Sequence, residues 1–270
     1  MTIDISTALQ TTHNARELAG LPASGGGTLA SGLLFRSDAL AALTDEGLQA
    51  LADFRIGTVI DLRTDGERSR AADRLPDDGS ITLLTLPMQG GAMDEMVKQL
   101  LPAAGGVGLS VTQVAEVLKQ VPTLDELYVA ILEASAPQFA TIARTVLVSS
   151  RTSRPGVLFH CTAGKDRTGL AAAILLLVAE VPRQAIVTDY TQTEKNLARG
   201  FAEALTALIT SLGVPLTPAL KTLATESPAS AIETAMDWIS ANHGDVSGYL
   251  RSGGMTDEEI ADLRRVLRGE

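Results

Sequence analysis

The chain has 270 residues and is 45% hydrophobic but only 3% aromatic, so one large α/β domain with a core of Ala, Leu and Val is within its means. A formal net charge of −10 argues against nucleic acid or an anionic membrane as partner, and an anionic substrate would have to be drawn in by a local positive field. The single cysteine forms no internal disulfide and requires no oxidising compartment.

The first residues lack a basic region followed by an apolar run, and the longest apolar stretch, 170–179, is too short for a membrane span. A cytoplasmic protein is expected, with signal-less export left open. In chain order, residues 24–27 read as a loop and 33–36 as a short strand. Residues 41–54 have helical spacing of apolar positions, and 57–63 read as a buried strand ending in charges. A turn at 77–80 precedes a further strand at 81–86. The segment 88–121 is set apart: Gly90-Gly91 and residues 103–108 are hinge-like, and Ser110-x-x-Gln113 and Thr123-x-x-Glu126 fit capping boxes. It is too long for an ordinary connection and reads as a lid-like insertion within one domain spanning 1–270, or as a helical excursion packed on the surface. A helix is expected from Ser135 to about Ser149, then a strand at 156–160 and an apolar helix at 169–181. The last ninety residues read as helical, with starts at Thr217-Pro218, Ser227-Pro228 and Thr256-x-x-Glu259 and stops at Gly213 and Gly244. Alternating strands and helices predict an α/β fold with a mostly parallel central sheet flanked by helices and an all-helical C-terminal portion.

The chemistry concentrates in His160-Cys161-Thr162-Ala163-Gly164-Lys165-Asp166-Arg167-Thr168-Gly169. A strand enters this run and a helix leaves it, so backbone amides converge at a helix N-terminus, a ready anion site. The helix dipole, the amides and Arg167 all favour the thiolate of Cys161, the form that attacks phosphorus. Arg167 can bind two phosphoryl oxygens through its planar fork, and the segment from Thr162 through Ala163, Gly164, Lys165 and Asp166 to Arg167 supplies amide donors. Thr168 can donate to the sulfur, and His160 orients the cysteine by backbone hydrogen bonding. Lys165 reads either as a second positive charge at the mouth or as a solvated side chain. A leaving oxygen needs a proton, and three aspartates could give it: Asp166 first, Asp61 second, and Asp94 in the presumed lid third. No metal or other cofactor is expected, because His13, His160 and His243 are scattered and one cysteine cannot build a cluster. A nucleotide-binding loop is disfavoured because Asp166 stands where that loop needs Ser or Thr. A sulfur-transfer enzyme is disfavoured by the offset of Arg167. A phospho-ligand binding module using the same loop is the alternative from another class.

Segments spread along the whole chain carry a resemblance: Asn14-Ala-Arg-Glu-Leu-Ala-Gly20, Leu34-Phe-Arg-Ser37, Val59-Ile-Asp-Leu-Arg63, the loop itself, Thr188-Asp-Tyr-Thr191 and Gly248-Tyr-Leu-Arg251. Together they resemble the atypical bacterial cysteine-based tyrosine/dual-specificity phosphatases. That resemblance implies a protein-tyrosine-phosphatase-like fold, metal-free turnover, and a helical lid over the site. It also implies phosphotyrosine, phosphoserine/threonine or phosphoinositide substrates, with phosphate or sulfate able to occupy the loop. It places the nucleophile, the phosphate-binding arginine and the loop acid at Cys161, Arg167 and Asp166. The chain departs from the family at Met88-Gln89, where an acid is expected, and at Glu17 and Ala19, where Asp and Gly are usual.

Overall fold

A computed structural model describes residues 4–89, 122–198, 200–211 and 216–270, with three isolated positions between 111 and 120. Its sheet consists of β1 (Arg16–Glu17), β2 (Leu34–Ser37), β3 (Ile56–Asp61), β4 (Thr82–Thr85) and β5 (Gly156–His160), in the order β1-β2-β5-β3-β4. Four strands run parallel and β1 pairs antiparallel with β2 at one edge. The mostly parallel α/β sheet expected from the alternation of elements is therefore present. The presumed lid lies almost wholly outside the described residues, and so does Asp94.

Side chains of the central strands alternate between two cores, the period of an extended chain. Val157 and Phe159 join Leu34 and Ile60 on one face, while Leu158 joins Phe35 and Val59 on the other. The smaller core packs under α1 (Ile5–Ala8) and α2 (Asp45–Asp53). After β3 comes the short α3 (Asp65–Arg70), closed at its start by a capping box between Thr64 and Glu67. The larger core is built by α4 (Leu124–Ser149), α5 (Asp166–Val178) and α6 (Arg183–Leu197). Of the C-terminal helices, α7 (Phe201–Ser211) buries Leu205 and Ile209 apart from it, whereas α8 (Pro218–Thr225), α9 (Ala229–His243), α10 (Val246–Ser252) and α11 (Asp257–Arg268) contribute to it. No helix among the described residues is long and apolar enough to cross a membrane.

Two boundaries differ informatively from the sequence reading. The capping box at Thr123 and the helix expected from Ser135 belong to one 26-residue element, bent where Ser135 leaves helical geometry and Pro137 withholds its amide. The helix after the loop starts at Asp166 rather than near Gly169, so Asp166, Arg167 and Thr168 form its first turn. It is buried on nearly every side, as its unbroken apolar run demands.

Candidate active site

Strand β5 ends at His160 between Ser37 of β2 and Asp61 of β3, which places Cys161 at the carboxyl edge of the sheet's centre. This is where open α/β sheets bind ligands. From there the chain turns through residues 162–165 into α5. Gly164 has φ +65°, and a Cβ added there would lie 2.4 Å from the carbonyl oxygen of Ser37, so no other residue fits.

The scaffold holds the loop by its carbonyls. The Ala39 amide donates to Thr162 O at 3.1 Å, and Asn14 Nδ2 donates to Ala163 O and Gly164 O at 3.2 and 2.9 Å. Arg36 Nη2 also reaches Gly164 O at 2.8 Å. In a trans peptide the N–H points opposite to its carbonyl. Pulling these three carbonyls outward therefore aims the amides of Ala163, Gly164 and Lys165 inward, into the cup expected for an anion. The unpaired first-turn amides of α5 complete it.

The groups that tie the loop are themselves fixed by buried charge. Asp189 of α6 pairs with Arg16 at 2.7 Å and with Arg36 at 2.6 Å. Burial opposes ionisation of Asp189, but the two guanidinium groups outweigh it and hold the carboxyl below its ordinary range. Burial and the charge of Arg36 pull Arg16 down to about 10, against the opposing pull of Asp189. Arg16 in turn donates to the side-chain oxygen of Asn14 at 2.5 Å, and Asp38 accepts the Asn14 amide at 2.9 Å.

Arg167 is 2% exposed and faces a carboxylate that the sequence reading did not single out. Its Nη1 and Nη2 donate to the two oxygens of Glu67 at 2.8 and 2.7 Å, a bidentate fork. Thr162 Oγ1 donates to the same carboxylate at 2.5 Å, and the Thr64 amide at 2.8 Å. Burial alone would raise the Glu67 carboxyl, but Arg167, Thr162 and Thr64 hold it at about 2. Burial also works against the charge on Arg167, yet Glu67 and the neighbouring Cys161 and Asp166 keep the guanidinium above its ordinary value. Its Nε is buried without a hydrogen-bond partner among the described residues. Cys161 is free and 2% exposed.

The remaining sequence candidates fall in different places. Lys165 does not stand at the mouth: it is 1% exposed, and its Nζ meets Asp166 Oδ1 at 3.0 Å, Leu223 O at 2.9 Å and Glu226 O at 3.1 Å. Three acceptors, two of them carbonyls at the C-terminal end of α8, match its three N–H donors. Asp166 also accepts the Tyr128 hydroxyl on Oδ1 at 3.0 Å, and Tyr128 bonds Tyr190 at 2.7 Å. Burial and the charge of Asp166 raise both phenols. Asp61 is bound to Arg63, whose Nε and Nη2 donate to its two oxygens at 2.9 Å. Both oxygens of the second-ranked acid are thus engaged by a neighbouring guanidinium. The Thr168 hydroxyl is buried with no hydrogen-bond partner among the described residues, the Cys161 sulfur included.

Comparison with known sequences shows the family. The sequence pattern described as "Tyrosine phosphatase family" matches residues 7–269. The chain belongs to the tyrosine phosphatase family. A Cupriavidus necator protein named as a tyrosine-protein phosphatase is 32% identical, covering 95% of this chain and 86% of its own. The triple specificity protein phosphatase PtpB of Mycobacterium tuberculosis is 28% identical, covering 89% of this chain and 92% of its own. Among solved structures, P. aeruginosa TpbA in complex with pTyr is 15% identical and covers 95% of this chain and 96% of its own, at a TM-score of 0.37, too remote to inform the fold. Within this phosphatase, the one local signal at Glu67 is the Thr64-x-x-Glu67 spacing of a capping box, which the sequence reading did not single out. Nothing in its sequence context pointed to Arg167.

Proposed function

We propose that this phosphatase hydrolyses phosphomonoesters in two steps through a phosphocysteine. Cys161 Sγ attacks phosphorus, the P–O ester bond breaks, and the leaving oxygen takes a proton from Asp166. Water then attacks the phosphocysteine, the P–S bond breaks, inorganic phosphate departs, and Asp166 accepts the water's proton. The observation that carries this reading is the loop's construction, with one thiol set in a cup of inward-facing amides beside a buried arginine.

Arg167 is oriented by Glu67 before substrate arrives, so its charge needs little reorganisation as the transition state forms. Thr168, left without a partner, donates to the sulfur when it is thiolate. Asp166 takes its contacts with Tyr128 and Lys165 on Oδ1, leaving Oδ2 to carry the transferred proton. Lys165 acts by binding α8 and Asp166, not by reading substrate charge. Substrates are phosphotyrosine proteins, extended to phosphoserine/threonine and phosphoinositides. This breadth rests on the name of the triple-specificity relative and on a loop that grips only the shared phosphoryl group.

Metal-free turnover of p-nitrophenyl phosphate with chelator present tests the reading. Rapid acid quench should capture a phosphoenzyme that the Cys161→Ser variant never forms, and that variant's turnover should fall to background. Equal turnover in the variant would overturn cysteine catalysis. A parallel panel of phosphopeptides and phosphoinositides ranks the substrates.

A further inference from the structure

Two buried phenols meet the loop aspartate, and the two-step mechanism gives them no task. Tyr128, in the second turn of α4, is fully buried, and Tyr190 of α6 is 1% exposed. Their rings pack edge to face, with centroids 6.1 Å apart and an interplanar angle of 85°. Gly169, at the end of the first turn of α5, leaves room for the pair: a Cβ added there would lie 3.1 Å from the Tyr190 ring. Neither phenol belongs to the loop, so three separate helices converge on one carboxylate.

The direction of each hydrogen bond follows from what the groups can do. Tyr128 Oη stands 3.0 Å from Asp166 Oδ1 and 2.7 Å from Tyr190 Oη. A carboxylate oxygen can only accept, so the single hydroxyl proton of Tyr128 goes to Asp166. The Tyr190 hydroxyl must then donate to the Tyr128 oxygen. Burial and the charge of Asp166 hold both phenols above their ordinary range, so each keeps a proton to donate. Lys165 Nζ brings a second donor to the same Oδ1 at 3.0 Å. A proton placed on Oδ1 would face these two donors head-on, whereas a proton on Oδ2 leaves both bonds intact. One donor pattern therefore serves the charged and the neutral carboxyl, and it singles out Oδ2 for proton exchange in both steps.

We propose that Tyr128 is a positioning residue for proton transfer: its hydroxyl, oriented by Tyr190, locks the Asp166 carboxyl with Oδ2 toward the leaving oxygen. This rests on the reading of Asp166 as the acid. In the first step the Oδ2 proton passes to the ester oxygen as the P–O bond breaks. In the second, Oδ2 takes a proton from the attacking water. Tyr128 and Tyr190 keep their own protons throughout.

The test is the ratio of kcat/KM for an alkyl phosphate to that for p-nitrophenyl phosphate, since only the alkyl leaving group needs the proton. Both substrates are read on one preparation, so a partly unfolded variant does not mimic a change in the ratio. Tyr128→Phe keeps the ring and removes the donor, and the ratio should fall about tenfold. The double variant Tyr128→Phe/Tyr190→Phe, which leaves no phenol without an acceptor, should give the same fall. In an Asp166→Asn background, adding Tyr128→Phe should change the ratio by no more than about twofold, because the two groups act as one unit.

An unchanged ratio in Tyr128→Phe and in the double variant overturns the proposal. A tenfold fall that persists in the Asp166→Asn background overturns it too, because Tyr128 would then act through some other group. If Asp166→Asn by itself leaves the ratio at the wild-type value, the acid reading fails and the proposal falls with it, an outcome distinct from the other two.

Discussion

Replacing Glu67 by Gln removes one charge, keeps the shape, and acts on both stability and catalysis. The wild-type carboxyl lies at about 2 against an ordinary 4.5. That difference is worth about 3 kcal/mol at face value and about 2 kcal/mol once solvent screening at the end of α3 is allowed for. Because the folded value is depressed, this stabilisation is complete above pH 4.5 and is lost as pH falls through 2. Urea unfolding of the wild type should therefore lose about 2 kcal/mol between pH 6 and pH 2, whereas the Gln variant should lose correspondingly less from this site. The amide can accept on one oxygen only, so the fork loses one of its two bonds and the guanidinium is held less tightly, with the Leu62 and Met88 carbonyls at 3.3 Å from Nη1 as its other acceptors. Loss of one preorganised donor costs about 10²–10³-fold in kcat, and the lower end of that range is expected because the guanidinium itself remains. Steady-state turnover of p-nitrophenyl phosphate, measured at pH 6 where the fold of both proteins is intact, isolates the effect. A Glu67→Gln enzyme with wild-type kcat and KM would refute the idea that Glu67 presets the arginine.

Other substitutions probe the remaining parts of the site. Asp166→Asn should cut kcat for alkyl phosphates by about 10²-fold and for aryl phosphates much less, because only poor leaving groups need the proton; an equal effect on both would deny Asp166 the acid role. Gly164→Ala drives a Cβ to 2.4 Å from Ser37 O at φ +65°, and kcat/KM should drop by about 10²-fold through loop distortion. Unchanged kcat/KM would show that the Ser37 contact does not shape the cup. Asp189→Asn leaves Arg16 and Arg36 as buried charges without their counterion and should cost about 3–5 kcal/mol. Thermal melting should fall by about 10 °C, and a fall within about 3 °C would mean the two arginines find other partners.

What could be read from the chain was what local chemistry dictates. Strand β5 at Gly156–His160, the capping box at Thr123 and the helix start at Thr256 are all legible in the sequence, because caps and alternation act within a few residues. The loop was legible for the same reason: Cys161, Gly164 and Arg167 lie within seven positions, and their spacing alone describes an anion cup. Lys165 shows where that reasoning stops. Its neighbours in sequence suggested a surface charge, but its three acceptors come partly from α8, nearly sixty residues away.

The sequence by itself determined that Cys161 and Arg167 share one short loop, and it determined the α/β alternation, since each depends on residues close together along the chain. Only the tertiary structure decided that Glu67 grips Arg167, that Asp61 serves Arg63, and that Asp189 steadies the loop from behind through two arginines. A charged side chain has no preferred partner until folding removes water from around it. The low dielectric of the interior then makes the choice of counterion energetically decisive.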